Sequence, residues 1–247
     1  MSNLSLKHLT ISLGTKTIVD EATFDIHGGE IHILMGPNGS GKSSLLNGIM
    51  GHPSYDLKGN IVLDGEDVTT LATEAKAQRG IFLSLQQSPE ISGVTLTNFL
   101  FRAHKHMKPE DDITPLDFYQ LLERKAKEHG IDTAFLGKHL NSGLSGGEKK
   151  QSEILQLVAL APKFALLDEI DSGVDVDALK KVFSIITKEK ERGVGFLLVT
   201  HSSTLLSHLT PDHVHIMKEG RIVLSGGKEL VERVEREGFE GITAPTP

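Results

Sequence analysis

Ile31–Met35 is a short apolar run that leads into Gly36, Pro37, Asn38, Gly39, Ser40, Gly41, Lys42 and Ser43, an order that fits G-x-x-x-x-G-K-[ST]. A buried strand, a glycine loop and a helix in succession open a parallel α/β sheet. Glycines let backbone N–H groups curl around phosphate oxygens without Cβ clashes. The helix predicted over Lys42–Met50 points its positive N-terminus at the same anion. Lys42 is then placed to reach the outer phosphates, and Ser43, followed by Ser44, to ligate Mg²⁺. A glycine turn in a plain surface loop would lack both flanking elements.

The rest of the chain supplies a sheet around that unit. Residues 4–11, 18–26 and 61–63 have strand character, with turns at Gly28–Gly29 and Asp64–Gly65. From 89 to 161 the pattern is mainly helical, clearest at Thr97–Met107 and Pro115–His129. Lys108–Pro115 between them reads as an exposed loop. Strand character returns at Phe164–Leu167 and Phe196–Thr200, and Gly227–Glu237 reads as a charged helix before a loose tail. A chain of 247 residues suits one large domain. Its expected parts are an α/β core (1–88 and 162–226), a helical insert (89–161), and a C-terminal helix and tail (227–247).

Phe164–Leu167 ends in Asp168 and Glu169. A strand that is apolar throughout is buried on both faces, so its terminal carboxylate projects at the carboxyl edge of the sheet, beside the phosphate loop. Asp168 can hold Mg²⁺ through water, and Glu169 can polarise an attacking water. Alone, two acids at a strand end are as often ordinary surface groups; the phosphate loop changes that balance. Leu144-Ser145-Gly146-Gly147-Glu148 is more selective. It could be a simple helix N-cap, yet a second anion-binding helix terminus is redundant for one nucleotide in one chain.

With that segment the chain resembles the ABC (ATP-binding cassette) ATPases. The resemblance implies a nucleotide-binding domain with a RecA-like parallel sheet core, an N-terminal antiparallel β part and an inserted helical subdomain. It implies that Ser145, Gly146 and Gly147 cover the γ-phosphate held by an opposite protomer, hence an ATP-dependent homodimer. Gln86 matches the Q-loop glutamine that senses Mg²⁺ and the attacking water. Ser172-Gly173-Val174-Asp175 matches the D-loop, and His201 the switch histidine; by itself His201 would be a satisfied histidine at a strand end. The implied catalytic groups are Glu169, His201 and Gln86, the metal ligands Ser43, Gln86 and Asp168, and the ligands ATP and Mg²⁺.

Gly29-Glu30-Ile31-His32 before the loop, Gly51-His52-Pro53 with Tyr55, Glu90-Ile-Ser-Gly-Val94, Glu148-Lys149-Lys150 and Asp168 to Leu179 are similar to the ATPases of the Suf iron–sulfur cluster assembly machinery, the SufC family. That likeness extends to about Gly241 and implies SufB- and SufD-like scaffold subunits as partners. Three segments depart from the family pattern: proline falls at 89, three residues after Gln86; Gln151 and Ser152 stand where Arg and Asn are common; and Ser44 stands where Thr is usual. The resemblance implies that the first lies where a partner docks. The alternatives are the ATPase subunit of an ABC membrane transporter and a nucleotide-dependent clamp, against which Glu169 and His201 argue.

The chain has no cysteine, so it cannot hold a cluster on thiolates, and a reducing cytoplasm suits it. Net charge is −7, which speaks against a general affinity for nucleic acid. No stretch approaches the roughly 20 apolar residues of a spanning helix, so direct membrane insertion is not expected. His104/His106 and His213/His215 have a spacing that can bring two ligands together on a strand, but no third is evident and a metal site is not expected. Lys149 or Lys150, the latter preferred, is expected to pair with Glu169 in the nucleotide-free monomer and hold the carboxylate off the water position; two solvated lysines are the equal alternative. Between Ile11 and Asp20 no aromatic is available to stack on a base, leaving Leu13 or Ile18 for apolar contact.

Overall fold

A computed structural model describes residues 2–84, 90–170, 174–200 and 208–242. The chain begins with two long antiparallel strands, β1 (Asn3–Leu13) and β2 (Lys16–His27), then β3 (Ile31–Met35) and α1 (Lys42–Met50). After them come β4 (Asp56–Leu63), β5 (Glu66–Asp67), α2 (Thr73–Gln78) and β6 (Ile81–Ser84). β7 (Ile91–Thr95), α3 (Leu96–Met107), α4 (Pro115–Glu128), a 3-10 turn (Thr133–Gly137) and β8 (His139–Leu140) lead to α5 (Gly146–Leu160). The chain closes with β9 (Phe164–Asp168), α6 (Val176–Glu191), β10 (Gly195–Val199), β11 (His213–Lys218), β12 (Arg221–Gly226) and α7 (Glu229–Glu237).

Six strands form the central sheet in the order β12-β11-β3-β10-β9-β6. Every neighbouring pair is parallel except β11 with β12. A second, antiparallel sheet has the order β2-β1-β4-β5. The central strands are apolar throughout because both faces are covered. Ile31, Ile33, Ala165, Leu167, Phe196 and Leu198 enter one core with the helices, while Leu34, Leu166, Leu197 and Val199 enter the other with α1 and the antiparallel sheet. Period-two alternation along each strand makes this division.

Several elements exceed the sequence reading. β4 begins at Asp56 rather than 61 because β1 supplies backbone partners to its polar half. Gly59, at φ +85°, passes so close to β1 that a Cβ there would lie 2.2 Å from the His8 carbonyl oxygen. β7 lies in the stretch read as helical, paired with β8; Ile91, Val94 and Thr95 are β-branched, which favours strand. β11 and β12 join through Glu219 and Gly220, both at positive φ, the geometry of a tight hairpin turn. Among the described residues no helix is long and apolar enough to cross a membrane.

Candidate functional site

The phosphate loop leaves the carboxyl end of β3, and its shape depends on close backbone approach. A Cβ on Gly36 would fall 2.1 Å from the Met217 carbonyl oxygen, so only glycine lets the loop start against β11. Gly39 and Gly41 sit at φ +79° and +106°, and Gly41 caps α1 in the left-handed region. Lys42 curls over this loop, donating from Nζ to the carbonyls of Gly36 (2.9 Å) and Pro37 (3.0 Å). Burial lowers the Lys42 ammonium from its usual range, while Glu169 and Asp168 pull the other way.

Opposite the loop, β9 delivers Asp168 to the same edge of the sheet, with β10 lying between β9 and β3. Asp168 is 3% exposed, hydrogen-bonded to Ser43, and its Oδ1 has no hydrogen-bond partner among the described residues. Burial raises its carboxyl above the ordinary value, more than the Ser43 hydrogen bond lowers it. A hydroxyl and a carboxylate with an unused oxygen, side by side, are the hard oxygen donors that Mg²⁺ takes. Glu169 follows at φ 47°, its N–H donating to the Val199 carbonyl (3.0 Å). It shares a 490 Å³ cavity with Ile18, Asn38, Gly39, Lys42, Ser43 and Ser44. Tyr55 donates to Ser44 Oγ (3.2 Å), bracing the first turn of α1.

Ser145, Gly146 and Gly147 open α5. Ser145 accepts from the Glu148 N–H, and Glu148 reaches back to the Ser145 N–H (2.9 Å), a reciprocal capping box. The N-cap reading of this segment is thus correct as local structure, and it leaves the glycine amides at an exposed helix start. A Cβ on Gly147 would lie 3.6 Å from Asp175 Oδ2, so the signature segment adjoins the start of α6, which Asp175 caps. Gln86, Ser172, Gly173 and His201 lie outside the described residues.

Lys150 does not pair with Glu169. It pairs with Glu153 at 3.1 Å, one helical turn on, and Lys149 pairs with Glu90 at 2.7 Å. Glu153 also accepts from Ser84 Oγ (2.8 Å), and all three groups are buried. The i,i+3 spacing makes the pair visible in the sequence; its burial against the end of β6, two residues before Gln86 in the chain, is not.

A phosphate loop at the carboxyl edge of a parallel sheet, a carboxylate pair two strands away and a second glycine-rich helix start define a P-loop nucleotide-hydrolase cassette. The ABC transporter family model matches residues 19–172, and the chain belongs to that family: it is an ATP-binding cassette and an ATPase of the ABC type. It is 46% identical over 243 residues to Vegetative protein 296 of Bacillus subtilis (strain 168), covering 98% of this chain and 93% of that protein. It is 39% identical to the probable ATP-dependent transporter ycf16 of Antithamnion sp., covering 96% of each. In fold it is similar to the dimeric bacterial ABC transporter cassette MJ0796, with a TM-score of 0.78 at 21% identity, covering 91% of this chain and 98% of that one.

Proposed function

We propose that this chain hydrolyses ATP to drive movement in an iron–sulfur cluster assembly scaffold, bound to SufB- and SufD-like subunits and closing as a homodimer around two ATP. The loop amides of Gly36 to Ser44, with Lys42, hold the phosphates. Ser43, Asp168 and Gln86 would hold Mg²⁺, which neutralises charge on the phosphate oxygens. Glu169 orients and polarises the water whose oxygen attacks the γ-phosphorus as the bond to ADP breaks. Gln86 and His201 complete the site, and Ser145, Gly146, Gly147 and Asp175 meet the γ-phosphate side of the partner's nucleotide.

The observation that carries the reading is the buried Lys150–Glu153–Ser84 contact. It ties the signature helix to the strand that precedes Gln86 in the chain, and Lys150 belongs to the Glu148-Lys149-Lys150 segment by which the chain resembles the Suf ATPases. A 330 Å³ apolar cavity lined by Met50, Ala77, Phe82, Met107 and Leu160 supports docking of a partner between the sheet and the helices. Ile91, 38% exposed on β7, flanks the same segment.

The test is Ile91→Glu with two assays. Loss of co-purification with a scaffold protein that contains cysteines, while Mg²⁺-dependent phosphate release survives, supports this reading. Recovery of the wild type with an integral-membrane partner replaces it with the alternative, an ABC transporter subunit.

A further inference from the structure

The amino end of the central sheet gathers four groups that the sequence keeps apart. His32 on β3 stands in register with His213 on the neighbouring parallel strand β11. Residues two apart on a strand share a face. Glu30 therefore joins His32, and His215 joins His213. The resulting cluster lies between the central sheet and β2, where Phe24 stacks on the His215 ring at 4.5 Å. At about 3.3 Å per residue it is roughly 13 Å from the phosphate loop, at the opposite end of β3. The nucleotide site does not use it.

One ligand atom each from Glu30, His32 and His213 lies within 4.8 Å of the other two. Glu30 Oε2 is 3.1 Å from His32 Nε2, and the His32 and His213 rings are 4.6 Å apart. Tetrahedral coordination with bonds near 2.0–2.1 Å needs donor separations of about 3.4 Å, so one edge of such a site is already formed. His213, exposed at the strand start, has to move by about an ångström.

Behind these three stands an orienting chain. His32 Nδ1 is 3.0 Å from His215 Nε2, and His215 Nδ1 is 2.8 Å from Ser225 Oγ. Neutral rings can direct this chain two ways. If Ser225 donates inward, His32 Nε2–H ends on Glu30. If His215 Nδ1–H donates to Ser225 and His32 Nδ1–H donates to His215, the His32 Nε2 lone pair is turned toward Glu30 and only a cation can join the two. His32 and His215 are both buried, and the neutral imidazole is the form that ligates metal. A metal-bound histidine held by a hydrogen bond at its other nitrogen is the usual supporting arrangement.

We infer that Glu30, His32 and His213 form a site for a divalent transition cation of the zinc class, with water in the fourth position and His215–Ser225 as its second layer. Two nitrogens and one carboxylate oxygen match zinc rather than magnesium or calcium. The site staples β3 to β11 at one end, as the Gly36–Met217 approach does at the other.

The test uses the full chain without a histidine tag and titrates Co²⁺, followed by its visible absorption and by displacement with Zn²⁺. One Co²⁺ per chain with a tetrahedral spectrum is expected, and Asp168→Asn leaves it in place because the nucleotide site is separate. His213→Ala and Glu30→Gln, both away from the buried core, weaken binding by at least about 10-fold while ATP hydrolysis persists. Ser225→Ala weakens it by about 10-fold through the second layer. Zn²⁺ also raises the thermal midpoint of the wild type but not of His213→Ala. No Co²⁺ binding below about 0.1 mM, or binding unchanged in both His213→Ala and Glu30→Gln, overturns the site.

Discussion

Glu169 is held at φ 47°, a region that costs a non-glycine residue roughly 1–2 kcal/mol. Its N–H bond to Val199 on the adjacent strand fixes the turn and offsets part of that cost. In the proposed mechanism this carboxylate, held in such a conformation beside the phosphate loop, works on water rather than for stability. Glu169→Gln keeps the shape and removes the basic oxygen, so ATP binding is expected to persist while phosphate release falls by about 10²- to 10⁴-fold. Unchanged turnover in a phosphate-release assay would take Glu169 out of this role. Recognition of the base is expected to be weaker. Ile18 is the apolar residue that lines the cavity, and Leu13 is 51% exposed, with no aromatic between Ile11 and Asp20. GTP is expected to be hydrolysed with kcat/KM within about 10-fold of ATP, since apolar contact alone discriminates little. A preference for ATP of a hundredfold or more in parallel kinetics would require a base contact elsewhere.

Among the elements, α1 shows how a helix that starts at a ligand is secured at its far end. Its terminal carbonyls need partners. Lys76, on α2 and 0% exposed, donates from Nζ to the carbonyls of Ile49 (2.9 Å) and Thr69 (3.3 Å). Burial lowers this ammonium from 10.5 to about 8. Below pH 8 folded and unfolded chains both carry the proton, and the native state bears the burial cost in full. Between about 8 and 10.5 the folded chain releases it first, so this residue's contribution to stability rises with pH, by up to about 1.4 kcal/mol per unit. Comparing wild type with Lys76→Met by denaturant titration, the difference should shift in favour of the wild type by about 1–2 kcal/mol between about pH 7.5 and 9.5. A difference independent of pH would mean that Lys76 does not titrate in this range. The signature helix carries its own buried pair, Lys150 with Glu153. Lys150→Met leaves Glu153 without its cation, and a loss of about 3–5 kcal/mol is expected; Lys150→Met with Glu153→Leu should recover most of it. Equal losses in the single and double variants, measured by the same titration, would mean the pair is not coupled.

For the whole molecule, the phosphate loop and the signature glycines belong to different elements, and the proposed mechanism needs both on one nucleotide, supplied by two copies. Glu169→Gln with ATP and Mg²⁺ is therefore expected to move from monomer to dimer in light scattering, and Lys42→Ala to remain a monomer. A monomeric Glu169→Gln chain saturated with ATP would remove the sandwich from the proposal. Much of this site was legible beforehand because its chemistry is local. Gly36 to Ser43 and Asp168–Glu169 are contiguous, and the glycines, strand and helix around them follow from short-range sterics and hydrophobic period. The ends of β3 and α1 match the reading for the same reason. Strand β11 and the polar half of β4 are not evident from their short runs alone, because β3 and β1, which pair with them, lie far along the chain; β12 follows from β11 as its hairpin partner. Lys150 meets Glu153 and not Glu169, and distance in sequence does not report which face of α5 meets β6. The histidines at 213 and 215 lacked a third ligand in the sequence, and the parallel pairing of β11 with β3 supplied Glu30 and His32 from about 180 residues away. Local sequence determined that the chain has a nucleotide loop and its acids; only the tertiary pairing of strands decided what stands beside them, because sheet neighbours are chosen by long-range burial and register rather than by order in the chain.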